Sequence, residues 1–208
     1  MAVEVKALGN ESETNSSATA IETTEMKAGN ILTNSQDDVN WDYLKTEIEL
    51  LDTSWSVVLY DLYKIDNNDN NQILKFSDIL NNSIISIKEE NKADSITNLA
   101  QLYSYIPEFV RISSNDNNLK NIKETKKYII DSYASVTNDD WTTATSALQS
   151  AEENFSNIFK DLEYMKKNEY KVNKTYILLK ELQNCLEQQD KSIFFMKYIN
   201  LMENLNMM

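Results

Sequence analysis

Trp41, Leu44, Ile48, Leu51, Trp55, Val58, Leu62 and Ile65 recur at unbroken steps of three and four residues. The same steps return at Trp141, Ala144, Leu148, Ala151, Phe155, Ile158, Leu162 and Met165, displaced by 141 − 41 = 100 residues. Residues three and four apart share one face of a helix, so each run predicts a long helix with a single apolar seam. The polar positions between them carry the solvent face.

Shorter runs of the same kind fill the rest of the chain. The pattern predicts helices over roughly 39–65, 73–90, 95–112, 119–136, 139–168, 172–188 and 192–206. Asp38 or Asn40 is placed to cap the first, Asp94 or Ser95 the third, and Asp190 or Ser192 the last. Thr137-Asn-Asp-Asp140 stands as a start signal before Trp141. Pro107 lacks an N–H donor and predicts a kink or restart near Tyr105. The lysines Lys120, Lys123, Lys126 and Lys127 read as a solvated face of the fourth helix. The expected fold is all-α: an antiparallel bundle of about six to seven helices.

The two long seams also predict an internal duplication. Ser56, Asp61 and Leu62 recur as Ser156, Asp161 and Leu162, two of the three lying off the apolar face. Repeats over 39–112 and 139–206, joined by helix 119–136, would then share one bundle.

Residues 1–38 have no seam. They are rich in Glu, Ser, Thr and Asn, with bulky apolar residues too sparse to offset the entropy of ordering. The division expected is an acidic disordered tether over 1–38 and a helical domain over 39–208.

Composition narrows the chemistry. The chain has 2 glycines, Gly9 and Gly29, and 1 proline. Turns from Asn30 onward must therefore use Asn, Asp and Ser, and no phosphate-cradling glycine loop is possible there. There is no histidine, and Cys185 is the single cysteine. Zinc sites built on His or several Cys, His-dependent nucleophilic systems and di-iron sites of the Glu-x-x-His type are thereby excluded. Cys185 lies beside Leu182 and Leu186 and reads as a small buried hydrophobe. The net charge of −13, with Arg111 the one arginine, leaves no basic cluster for nucleic acid. The abundance of Asn, Ile, Lys and Tyr is that of a low-GC bacterial genome.

Two features remain as candidate sites. In the loop Asp66–Gln72, Asp66, Asn68 and Asn70 alternate as in a calcium loop of the EF-hand type, with Ile73 at the apolar position. Asn71 replaces the turn glycine, Ser77 stands where the bidentate Glu belongs, and Asp78 comes one residue late. A polar interhelical loop is the competing reading. Tyr60, Tyr63, Tyr103, Tyr105, Tyr164 and Tyr198 form the second candidate, as a peptide or sugar groove or as rings at the core boundary. No catalytic residue or cofactor is expected.

The acidic Ser/Thr/Asn segment, the Asn-Trp and Asp-Trp helix starts, and the phrase Asn173-Lys-Thr-Tyr-Ile-Leu-Leu-Lys-Glu-Leu-Gln183 are features of one kind of protein. The chain resembles uncharacterised clostridial-type bacterial lipoproteins with a helical-bundle ectodomain, over most of residues 39–206. The resemblance implies export, a lipid-modified cysteine ahead of a polar tether, and a non-catalytic domain that binds a protein, peptide or envelope ligand. It implies no residue roles, and residues 1–208 contain neither a signal peptide nor a lipid-modified cysteine motif. The expected protein is thus a monomeric, extracytoplasmic, membrane-anchored binding or structural module. The alternatives are a cytoplasmic helical interaction module, if Met1 is the true start, and a calcium-binding helical protein.

Overall fold

A computed structural model describes residues 39–64 and 70–208. Every regular element among them is helical: α1 Trp41–Tyr63, α2 Asn70–Lys88, α3 Lys92–Tyr103, α4 Ile106–Ser113, α5 Asn117–Thr137, α6 Trp141–Ser156, α7 Leu162–Cys185 and α8 Lys191–Asn206. Short 3-10 turns at Asn157–Lys160 and Leu186–Gln188 follow α6 and α7. The chain is an all-α bundle, as the seams predict, and Asn40–Met208 is one compact unit.

The starts of the helices follow from local chemistry. The Asn40 side chain accepts from the Tyr43 N–H at 3.0 Å, and Asp190 accepts from Ile193 N–H at 3.1 Å. Each carboxylate or amide oxygen satisfies a donor that the first helical turn leaves free. Pro107 sits in the first turn of α4, with Tyr105 at the N-cap, where a missing N–H is harmless. Two expected caps are displaced. Asn91, not Asp94 or Ser95, caps α3 by accepting from Asp94 N–H at 3.2 Å. Asp140, not Thr137, caps α6, accepting from Thr143 N–H at 2.9 Å. The Thr137 hydroxyl instead donates back to the Tyr133 carbonyl and belongs to the end of α5.

The seams build two cores. Ile48, Trp55 and Leu62 of α1 meet Ile73, Phe76, Leu80 and Ile87 of α2, with Leu102 and Phe109 from α3 and α4. Here the Trp55 ring lies 4.1 Å from Phe76 and 5.7 Å from Phe109. The second core gathers α5 to α8 around Phe155, Leu179, Phe194 and Leu201. Helix α5 packs on α3 and α4 on one side and on α6 and α8 on the other, and so joins the two cores. Trp41 and Trp141 are half-buried against their respective cores. Val58 departs from its seam: it is exposed, because α1 leans on α2 and its other flank stays open.

The duplication is not confirmed, and its signature residues occupy different structural roles. Asp61 lies inside α1, whereas Asp161 is the extended N-cap of α7. Leu62 is 6% exposed and its counterpart Leu162 is 79% exposed. The continuous helix expected over 139–168 is broken at 157–161. The interruption expected near 169–171 is present as a kink at Asn168, where the backbone leaves helical geometry and the side-chain N–H donates to the Tyr164 carbonyl.

Asp161 accounts for the break. Its carboxylate accepts from the Tyr164 N–H at 3.0 Å and from the Asn118 side-chain amide of α5 at 2.7 Å. The backbone and amide bonds hold its carboxyl below the ordinary aspartate range, the Tyr164 N–H contributing most. A carboxylate so anchored stops α6 and starts α7. Asp161→Ala is expected to lower the melting temperature by a few degrees, with Asp161→Asn intermediate, in thermal unfolding followed by circular dichroism. Unchanged melting for Asp161→Ala would remove this explanation.

Candidate functional site

Beyond the kink at Asn168, α7 and α6 run back along each other as an antiparallel pair, with Phe159 meeting Tyr176 at 5.5 Å, Glu152 pairing with Lys180 and the Leu148 carbonyl accepting from Gln183. Between the outer half of α6 and the last turns of α7 they leave an open groove of about 710 Å³. Trp141, Thr142, Thr145 and Gln149 come from α6, and Gln183, Asn184 and Glu187 from α7 and its 3-10 turn. Trp141, at the N-terminal end of α6, meets Phe194 edge-on at 6.4 Å.

Glu152 organises one end. Its carboxylate accepts from the Tyr176 hydroxyl at 3.1 Å and from the Gln183 amide at 3.0 Å, and pairs with the Lys180 ammonium. The same Gln183 amide donates to the Leu148 carbonyl at 3.1 Å. The Lys180 hydrogen bond, with help from Gln183 and Tyr176, holds the Glu152 carboxyl below the ordinary glutamate range. This arrangement fixes the wall of the groove and cancels the Glu152 charge locally. It offers hydrogen-bonding groups on a set framework, the property that orients ligands in small-molecule sites.

The end of α8 is held just as firmly. Thr175 donates to the Lys171 carbonyl at 2.8 Å and accepts from the Asn204 amide. Lys171 donates to the Met207 carbonyl at 2.8 Å, and Lys126 to the Asn206 side-chain oxygen at 2.8 Å. Lys126 overturns the expectation of a solvated lysine face, being only 7% exposed. Burial, with a smaller push from Lys123, lowers its ammonium to about 8. Desolvation disfavours the charged form, and a single neutral acceptor compensates little of that cost.

Asp66 and Asn68 lie outside the described residues. Asn70 and Asp78 stand on the same helix, α2, so roughly 12 Å of rise separates them. Among the described residues no group of three or more acidic or Cys side chains could hold a metal. Tyr60 and Tyr63 are exposed, Tyr105 meets Phe76 edge-on in the first core, and Tyr198 is buried in the second, 4.6 Å from Tyr133. These four tyrosines therefore line no common groove. Cys185 is buried as expected, its thiol raised by burial and donating to the Leu182 carbonyl at 3.0 Å.

Trp141, Glu152 and Gln183 are not among the sequence candidates. Trp141 reads as a core residue, and nothing in the spacing marks Glu152 or Gln183, whose pairing depends on the turn-back at Asn168. Among the described residues no helix is long and apolar enough to cross a membrane. No protein-family model, curated protein or solved structure matches the chain.

Proposed function

We propose that the chain is a non-catalytic helical module of the cell envelope, held by its acidic N-terminal segment and binding a ligand along the groove of α6 and α7. The groove carries the binding part of this reading. It is open to solvent, one wall is locked by the Glu152, Lys180 and Gln183 bonds, and a half-buried tryptophan flanks it. The location rests on the resemblance to helical-bundle lipoproteins and on the polar composition of residues 1–38.

The native protein is expected in the membrane fraction of its cells, released by detergent, with a lipid-modified cysteine preceding Met1 in the mature chain. Mass spectrometry of the purified native protein reads this directly. Recovery in the soluble fraction with Met1 as its first residue overturns the envelope assignment.

One observation favours a second reading. Helix α1 packs chiefly on α2, and its open flank exposes Leu50, Val57 and Val58. Apolar side chains along one flank suit helix-to-helix pairing between proteins. A cytoplasmic interaction module would associate through this flank, and sedimentation equilibrium tests it. Association weakened by Val57→Asp favours this alternative, whereas a monomer at all concentrations favours the first.

A further inference from the structure

We infer that the groove between α6 and α7 binds a neutral glycan strand, with Trp141 as the stacking platform. The inference rests on the proposal that this groove is the binding face, and it names the ligand class.

The chemistry lining the groove narrows the choice. Thr142, Thr145, Gln149 and Asn184 are hydroxyls and amides, groups that both donate and accept, and Gln183 adds its amide oxygen as an acceptor, its two N–H bonds being used on Leu148 and Glu152. The Thr145 hydroxyl donates to the Trp141 carbonyl at 2.8 Å, which leaves its lone pairs to accept from a ligand. Glu152 is balanced by Lys180, so among the described residues Glu187 is the one unpaired charge lining the groove. A nearly neutral wall gives no purchase to a polyanion, which needs clustered cations. A peptide held in a groove uses apolar pockets for its side chains or an open sheet edge for its backbone. Here the apolar lining is Trp141 and Leu186, and the neighbouring elements are helices.

A sugar ring asks for what is present. Its hydroxyls exchange hydrogen bonds in both directions with amides and hydroxyls, and its C–H face lies on an aromatic ring. The half-buried Trp141 is steadied from behind by Phe194, so its orientation is set before a ligand arrives. The volume of about 710 Å³ exceeds one sugar unit and lies inside the usual range of ligand clefts. An extended strand rather than a free monosaccharide is the occupant that fills it.

Two-dimensional NMR of the whole chain, titrated with chitotetraose and separately with N-acetylglucosamine, tests the inference. The tetrasaccharide is expected to shift the Trp141 indole N–H and the side-chain amides of Gln149, Gln183 and Asn184. Trp141→Ala and Asn184→Ala are each expected to weaken its binding about tenfold or more. Asn184 is exposed, so its variant keeps the fold and guards against a loss of structure in the tryptophan variant. Equal affinity for the monosaccharide would replace the strand with a free sugar and overturn the inference. So would an absence of shifts in the groove at millimolar tetrasaccharide, or shifts induced there by an uncharged hexapeptide alone. A membrane-anchored native protein with no saccharide response would leave the envelope assignment standing and remove only the glycan.

Discussion

Trp55→Ala is expected to destabilise the protein by ~3–5 kcal/mol, the cost of removing a large ring from a packed core. Trp55 is the residue where the first core is most concentrated. Its ring contacts Phe76 from α2 and Phe109 from α4, and its indole N–H donates to Ser77 at 2.8 Å. Truncation leaves a cavity bordered by three helices and orphans the Ser77 contact. Trp55→Phe keeps most of the ring volume and gives up the hydrogen bond, at an expected cost of about 1 kcal/mol. Urea unfolding followed by circular dichroism measures both. A loss below about 0.5 kcal/mol for the alanine variant, the level of an ordinary surface change, would show that the α1 seam is not packed.

The second large effect concerns Lys126 and appears as a pH dependence. The folded ammonium titrates near 8, against an ordinary lysine value of 10.5. Between these values the unfolded chain holds more protons than the folded one, so stability rises with pH. The rise from pH 8 to pH 10 is expected to be on the order of 2 kcal/mol. Tyr103, Tyr133 and Tyr198 then reverse the trend, because burial raises all three hydroxyls in the fold. Above their unfolded value the native state is the one that keeps protons, and stability falls. The protein should therefore be most stable near pH 10.

Lys126→Met separates the two limbs. It removes the buried charge while keeping a long apolar stem, and should stabilise the fold at pH 7 by ~1–3 kcal/mol. The rise between pH 8 and pH 10 should disappear, with the tyrosine limb unchanged. Urea midpoints across this pH range, for both proteins, check the sign and the residue together. Parallel curves for the two proteins would show that Lys126 is solvated.

Lys126 also shows what the sequence permits a reader to see. Leu119, Ile122, Ile129, Tyr133 and Val136 belong to one apolar stripe, and Lys126 fills its gap at the proper spacing. The position on the seam was legible; the habit of reading lysines as solvent-facing obscured it. Helix identity was legible throughout, because 3-4 periodicity reports a local property. Helix ends were less so. The steps Phe155, Ile158, Leu162 and Met165 stay regular across a break that depends on Asn118, distant in the chain, donating to Asp161. Periodicity is blind to such a tertiary bond, and the duplication, which is not confirmed, is read from the same regular steps.

The groove was hidden for the same reason. Trp141 and Glu152 of α6 face Gln183 and Lys180 of α7 because α7 turns back at its Asn168 kink. Composition had narrowed the chemistry by removing histidine and clustered cysteine, but it held no information on which polar residues would meet.

Backbone chemical shifts of residues 139–190 test this most directly, since the groove exists only if the chain turns back at the Asn168 kink. Helical shifts over 141–156, 162–167 and 169–185, with an extended value at Asp161 and a non-helical value at Asn168, are the predicted result. Unbroken helical shifts from 162 to 185 would contradict it.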